Sequence, residues 1–109
     1  MQTITQSQLK QWLDSKQDML LIDVLSKESF NKQHIPGSIN IPVKDNANFV
    51  KDVEDRATSK NQRIVVYCAN TQCDASQKAA QQLENAGFTN IQRFEEGVEG
   101  WFGTKAIAA

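Results

Sequence analysis

The chain has 109 residues, the length of one ordinary domain, so residues 1–109 are read as a single domain. Hydrophobic residues make up 39% and charged residues 23%, which permits a packed core and argues against disorder. Twelve Lys and Arg against thirteen Asp and Glu leave a net charge of −1 with no basic run, which argues against nucleic acid or an anionic membrane as the main partner.

The opening MQTITQSQLK contains no apolar stretch of signal-peptide length, and the longest apolar run, Met19 to Ile22, is far too short to span a bilayer. A cytoplasmic, reducing location follows as the expectation, and there two cysteines are reactive or redox-active rather than a structural staple. One histidine and two cysteines cannot supply four nitrogen and sulfur ligands to a zinc ion within one chain, so no metal is expected.

Thr5 and Gln8 have capping-box spacing, and Leu9, Trp12 and Leu13 share one face of a helix that ends near Asp14 to Lys16. Met19 to Val24 is a continuous apolar run closed by Asp23-Val24, the pattern of a strand buried on both faces. Ser26 can cap a short helix through Lys32 with Phe30 facing inward. Pro36-Gly37 is a turn, and Ser38 to Ile41 is a brief strand before Pro42. Phe49, Val50 and Val53 have helical spacing within roughly residues 46 to 58. Arg63 to Cys68 is the clearest strand, with three β-branched residues in a row and then an aromatic. A helix spans Ala75 to Ala86, buries Ala79, Ala80 and Leu83, and stops at Gly87. Asn90 to Phe94 is another strand, and Gly97 to Trp101 begins a last short helix. Strand and helix alternating in this way predict an α/β fold, a parallel sheet covered on both faces.

In such sheets the reactive site lies beyond the carboxyl ends of the strands. Cys68 stands at that end of the best strand, just before a helix. A loop entering a helix can aim several backbone N–H groups at a common centre, and the helix end adds partial positive charge. Both effects favour a thiolate, and the same amides can hold an anionic sulfur attached to it. The reading needs the Cys68 sulfur inside a ring of inward-aimed amides. The competing reading makes Cys68 a small buried hydrophobe.

Leu21-Ile-Asp23-Val24, Phe30 and His34-Ile-Pro-Gly37-Ser-Ile-Asn40-Ile-Pro42 are similar to the N-terminal signature of the rhodanese-like family. Ile64-Val-Val-Tyr-Cys68, with Ala79-Ala80, Leu83 and Ala86-Gly87-Phe88, resembles its active-site strand and helix. Phe94-Glu-Glu-Gly97-Val-Glu-Gly-Trp101 resembles its closing element, so the likeness spans roughly residues 4 to 103. The resemblance implies a three-layer α/β sandwich around a parallel five-stranded sheet. It implies a sulfurtransferase in which Cys68 attacks a small sulfur donor (thiosulfate or a persulfide), holds the sulfur as a persulfide, and yields it to cyanide or a thiol. A protein donor or acceptor is compatible with the same chemistry. The backbone of Ala69, Asn70, Thr71, Gln72, Cys73 and Asp74 matches the persulfide-binding loop, and no metal or organic cofactor is implied.

Three departures bear on substrate. The common loop is Cys, four residues, then Arg, but Cys73 stands in the Arg place, and the loop is about two residues longer. A missing arginine removes the fixed positive fork that grips thiosulfate, and it argues against the related phosphatases. Leu25 also replaces the Arg that often follows Asp-Val, with loss of a structural ion pair.

Cys73 has two readings: a resolving thiol that attacks the Cys68 persulfide and closes a Cys68–Cys73 disulfide, or a filler of the arginine's space. The first requires the α-carbons to come within about 7 Å. His34 is read as structural rather than as a base, Asp23 as supporting, and Asp74 as the cap of the following helix. Trp12 and Trp101 are read as core, and Glu95, Glu96 and Glu99 as solvated. The leading function is a sulfurtransferase or persulfide carrier; the alternatives are a non-catalytic interaction module and a Cys68/Cys73 redox protein.

Overall fold

The structure, a computed structural model, describes residues 1–103. In chain order it runs β1 (Gln2–Thr3), α1 (Gln6–Asp14), β2 (Met19–Asp23), α2 (Lys27–Lys32) and β3 (Ile39–Asn40). There follow α3 (Phe49–Arg56), β4 (Arg63–Tyr67), α4 (Ala75–Asn85), β5 (Ile91–Phe94) and α5 (Gly97–Phe102). The caps are local chemistry. Thr5 Oγ1 accepts the Gln8 amide at 3.1 Å, and Ser26 Oγ accepts that of Ser29 at 3.2 Å. Past α4 the backbone turns through Gly87 at φ +96°, where a side chain would be strained.

All five strands are parallel, in the order β1-β5-β4-β2-β3, which puts β4 at the centre. The α/β sandwich is therefore as read from the sequence. The residue pattern alone discloses four strands. The fifth, β1, is two exposed polar residues paired with Gln92 and Arg93 at the edge.

The pleat sends alternate side chains of each strand to opposite faces. On one face Ile22, Ile64, Val66 and Ile91 pack with Phe49 and Val53 of α3 and with Ala79, Ala80 and Leu83 of α4. On the other, Leu21, Val65, Tyr67 and Phe94 pack with Leu9 of α1 and Val98 of α5. Burying each large apolar side chain contributes about 1.5–3 kcal/mol. Helix α2 buries nothing: Phe30 is only half-buried and stacks on His34 at 3.8 Å instead of entering the core. Trp12 and Trp101 likewise cover the rim, half-buried, Trp12 under the Arg63 guanidinium at 3.9 Å and Trp101 edge-on to Phe94. Among the described residues no helix is long and apolar enough to cross a membrane.

Candidate active site at the carboxyl end of the central strand

Cys68 directly follows β4, and the chain curls through Asn70–Asp74 into α4. The strand end is held from the far side by α5: Val98 N–H donates to the Cys68 carbonyl and Glu99 N–H to that of Ala69, each at 3.0 Å. That approach requires a glycine at residue 97, where φ is +66° and the chain passes against the Cys68–Ala69 backbone.

Cys68 and Cys73 are joined in a disulfide, with α-carbons 6.4 Å apart, inside the span that a bridge needs. The Cys68 residue is 1% exposed, whereas Cys73 is half-buried. The expected ring of amides is not in place around the sulfur in this disulfide form. Asn70 takes two of those amides: its Oδ1 accepts Gln72 N–H at 2.9 Å and its carbonyl accepts Cys73 N–H at 3.2 Å. An Asn side chain folding back onto the amide two residues on is a common turn, and here it curls Cys73 onto Cys68. Asn70 Nδ2 also donates to Glu99 Oε2 at 2.6 Å, so Glu99 belongs to the loop and is not merely solvated.

The polar neighbours of the Cys68 sulfur are instead the Ser76 hydroxyl and the Cys73 carbonyl, each 3.5 Å away. A disulfide sulfur carries no proton, so in the Ser76 pair the hydroxyl donates. Arg93 reaches in from β5, its Nε donating to Ser76 Oγ at 2.8 Å and its Nη2 to the Cys73 carbonyl at 3.4 Å. Reasoning from the sequence misses Arg93. Its one signal there is a lone arginine in the otherwise uncharged strand Ile91–Phe94.

Of the remaining loop residues, Ala69 and Asn70 are half-buried and Thr71, Gln72 and Asp74 are exposed. Asp74 does not cap α4. Its side chain makes no cap hydrogen bond and pairs with Lys78 at 3.3 Å. Two open clefts flank the loop. One, of about 370 Å³, is lined by Asn70, Thr71, Gln72, Glu96, Glu99 and glycines; the other, of about 340 Å³, includes Lys44, Asp74 and Lys78.

His34 donates from Nδ1 to the Phe30 carbonyl at 2.7 Å and stacks on the Phe30 ring, a structural arrangement. Asp23 is fully buried beside Tyr67 at the end of β2. Its Oδ1 accepts the Leu25 amide at 2.9 Å, and Oδ2 has no hydrogen-bonding donor among the described residues. Burial raises the Asp23 carboxyl above the ordinary carboxylate range, opposed by the Leu25 amide and by the proximity of Tyr67 and His34. The Tyr67 hydroxyl, committed to Ile35 N–H at 3.0 Å and Ser38 Oγ at 2.8 Å, is also pushed well up by burial. Among the described residues no cluster of His, Cys, Asp and Glu could hold a metal ion.

Comparison with known proteins agrees with the fold. The rhodanese-like domain family matches residues 5–104. YibN of Escherichia coli is 37% identical over 92 residues, covering 84% of this chain and 61% of YibN. The thiosulfate sulfurtransferase GlpE of Pseudomonas syringae is 28% identical over 86 residues, covering 79% of this chain and 74% of GlpE. The crystal structure of a thiosulfate sulfurtransferase from Pseudomonas aeruginosa superposes with a TM-score of 0.83 at 24% identity, over 96% of this chain and 19% of that one. The chain thus spans about three-fifths of the length of YibN.

Proposed function

Since the chain belongs to the rhodanese-like domain family, we propose that it moves sulfane sulfur through Cys68, as a sulfurtransferase or persulfide carrier. One observation carries the reading: within the matched span, the cysteine stands at the carboxyl end of the central parallel strand, ahead of α4. Two small thiols first open the Cys68–Cys73 disulfide: one joins Cys73 as a mixed disulfide and releases the Cys68 thiolate, and the second takes the first off as their own disulfide and frees Cys73. The Cys68 thiolate then attacks the outer sulfur of a donor. With thiosulfate the S–S bond breaks and sulfite leaves, and with a persulfide the parent thiolate leaves; both give Cys68–S–S⁻. An acceptor takes the terminal sulfur, cyanide becoming thiocyanate or a thiol becoming a persulfide, and Cys68 thiolate returns. The amides of Gln72 and Cys73, freed as the loop uncurls, are the groups available to hold the anionic persulfide.

A persulfide is the better donor in this reading. Of the two clefts beside the loop, one presents Glu96 and Glu99 and no cationic side chain, while the other sets Lys44 and Lys78 beside Asp74, and Arg93 lines neither. The acidic cleft repels the doubly charged thiosulfate, and Cys73 supplies no fixed positive fork to hold it. Steady-state kinetics with thiosulfate and with glutathione persulfide test this; efficient turnover of thiosulfate would sink it. Dependence on Cys68 is tested by intact mass and by cyanolysis of donor-treated protein, with Cys68→Ala as control. If the wild-type protein gains no mass of one sulfur atom from any donor, the function is wrong.

The disulfide itself favours a second reading, a Cys68/Cys73 redox pair. In the sulfur-carrying cycle the same pair acts as a safety exit: Cys73 thiolate attacks Cys68–S–SH, the Cys68–Cys73 bond forms and hydrosulfide leaves, with no added oxidant. Cys73→Ser should then lengthen the persulfide lifetime. A reducible crosslink that forms without any sulfane sulfur supports the redox reading alone, and the absence of both signals leaves an interaction module.

A further inference from the structure

Cys68 lacks the loop arginine, yet a guanidinium is present on its inner side. Arg93 comes from β5, level with Val66 of β4, and so lies on the face of the sheet that α4 covers. Its Nε–H donates to Ser76 Oγ at 2.8 Å. Ser76 is fully buried in the first turn of α4. Because arginine only donates, the serine's lone pair is occupied and its own proton must point elsewhere. The Cys68 sulfur, 3.5 Å away, is there to receive it. A charged donor polarises the hydroxyl, and a hydrogen bond from a polarised hydroxyl is strongest to an anion.

We infer that Arg93, acting through the Ser76 hydroxyl, is a positioning residue that holds the Cys68 sulfur as a thiolate once the disulfide is open. The arginine lines neither of the clefts beside the loop. Its work is to orient one proton at one sulfur. Other charged groups near the loop are differently engaged. Asp74 is exposed and paired with Lys78, Glu99 accepts from Asn70, Lys44 lies across the outer cleft, and Asp23 lies on the α1 and α5 face beside Tyr67. The inference rests on Cys68 being the reactive thiol, but it concerns ionisation and not sulfur transfer, so the two fail separately.

The test uses the reduced protein carrying Cys73→Ser, which leaves one thiol. The rate of Cys68 alkylation by iodoacetamide is followed against pH. In this background the apparent pKa should lie below the ordinary cysteine value of about 8.5. Ser76→Ala and Arg93→Gln should each raise it by about one unit, and the double variant should raise it no further, because both remove the same hydrogen-bonded chain. Arg93→Lys should recover part of the shift. Superimposable profiles for Ser76→Ala and the parent, or fully additive shifts in the double variant, overturn the inference. If Arg93→Gln does not fold by circular dichroism, Ser76→Ala against Ser76→Thr, which keeps the hydroxyl, decides it: no difference between these two overturns the inference.

Discussion

Replacing Gly97 by alanine should dislodge the reactive strand end. The residue has φ +66°, and a left-handed conformation costs an L-residue about 1–2 kcal/mol. A methyl there would also overlap the Cys68 carbonyl oxygen and come within 2.7 Å of the Ala69 carbonyl carbon and 2.8 Å of its oxygen. These are backbone atoms, which cannot swing aside as a side chain would, so overpacking adds about 1–3 kcal/mol. The sum is about 2–5 kcal/mol, and at about 4–8 °C per kcal/mol the Tm should fall by at least about 8 °C. Gly103 supplies the control, because its φ is +67° and a methyl added there would meet nothing within 4 Å. Gly103→Ala should therefore lose only the conformational part, about 1–2 kcal/mol. The assay is thermal unfolding by circular dichroism of the oxidised protein, with alkylation of Cys68 after reduction as a second readout. Equal Tm losses in the two variants would refute the idea that α5 is pressed against the Cys68–Ala69 backbone.

Tyr67→Phe should cost about 1–3 kcal/mol in denaturant unfolding, because the Ile35 amide loses its acceptor in the interior. Phe49→Ala, at a fully buried site between α3 and the sheet, should cost about 3–5 kcal/mol in the same assay. Asp23 has a raised pKa in the folded state, so the native protein binds the extra proton between the unfolded and folded values, and stability falls as pH rises through that window. Asp23→Asn should thus be more stable than the parent at neutral pH, with the gap closing as pH falls toward the unfolded carboxylate value of about 3.9; a gap that is constant with pH would contradict this. Finally, a small thiol opening the disulfide should attack Cys73, the more exposed residue of the pair, and release Cys68 as the leaving thiolate. Rapid alkylation and peptide mass spectrometry should find the mixed disulfide on Cys73.

The apolar strands and helix faces are legible because burial writes itself into periodicity: Leu9, Phe49, Val53 and Leu83 all occupy the core positions their spacing implies. The Gln2–Thr3 strand is not, since an edge pairing made by backbone alone asks nothing of its side chains. Phe30 escapes prediction because a six-residue helix with one aromatic has no periodicity to orient it. At the site, Cys68 is legible from strand-end position. The turn that steals the Gln72 and Cys73 amides is signalled by Asn70, whose side chain competes locally with the helix-end cradle and wins in the disulfide form. Arg93 meets Ser76 across 17 residues of chain, through a strand register that only the fold supplies.

The two α5 amides that grip the Cys68 and Ala69 carbonyls give the loop one pinned end. Any swing on breaking the sulfur–sulfur bond must therefore pivot near Asn70 and be felt on the Cys73 flank. Hydrogen exchange comparing oxidised and reduced protein should change at Gln72 and Cys73 while β4 stays equally protected. The sheet behaves as an anvil, and the oxidation state is displayed in a few residues at the rim, where an incoming thiol would first meet it.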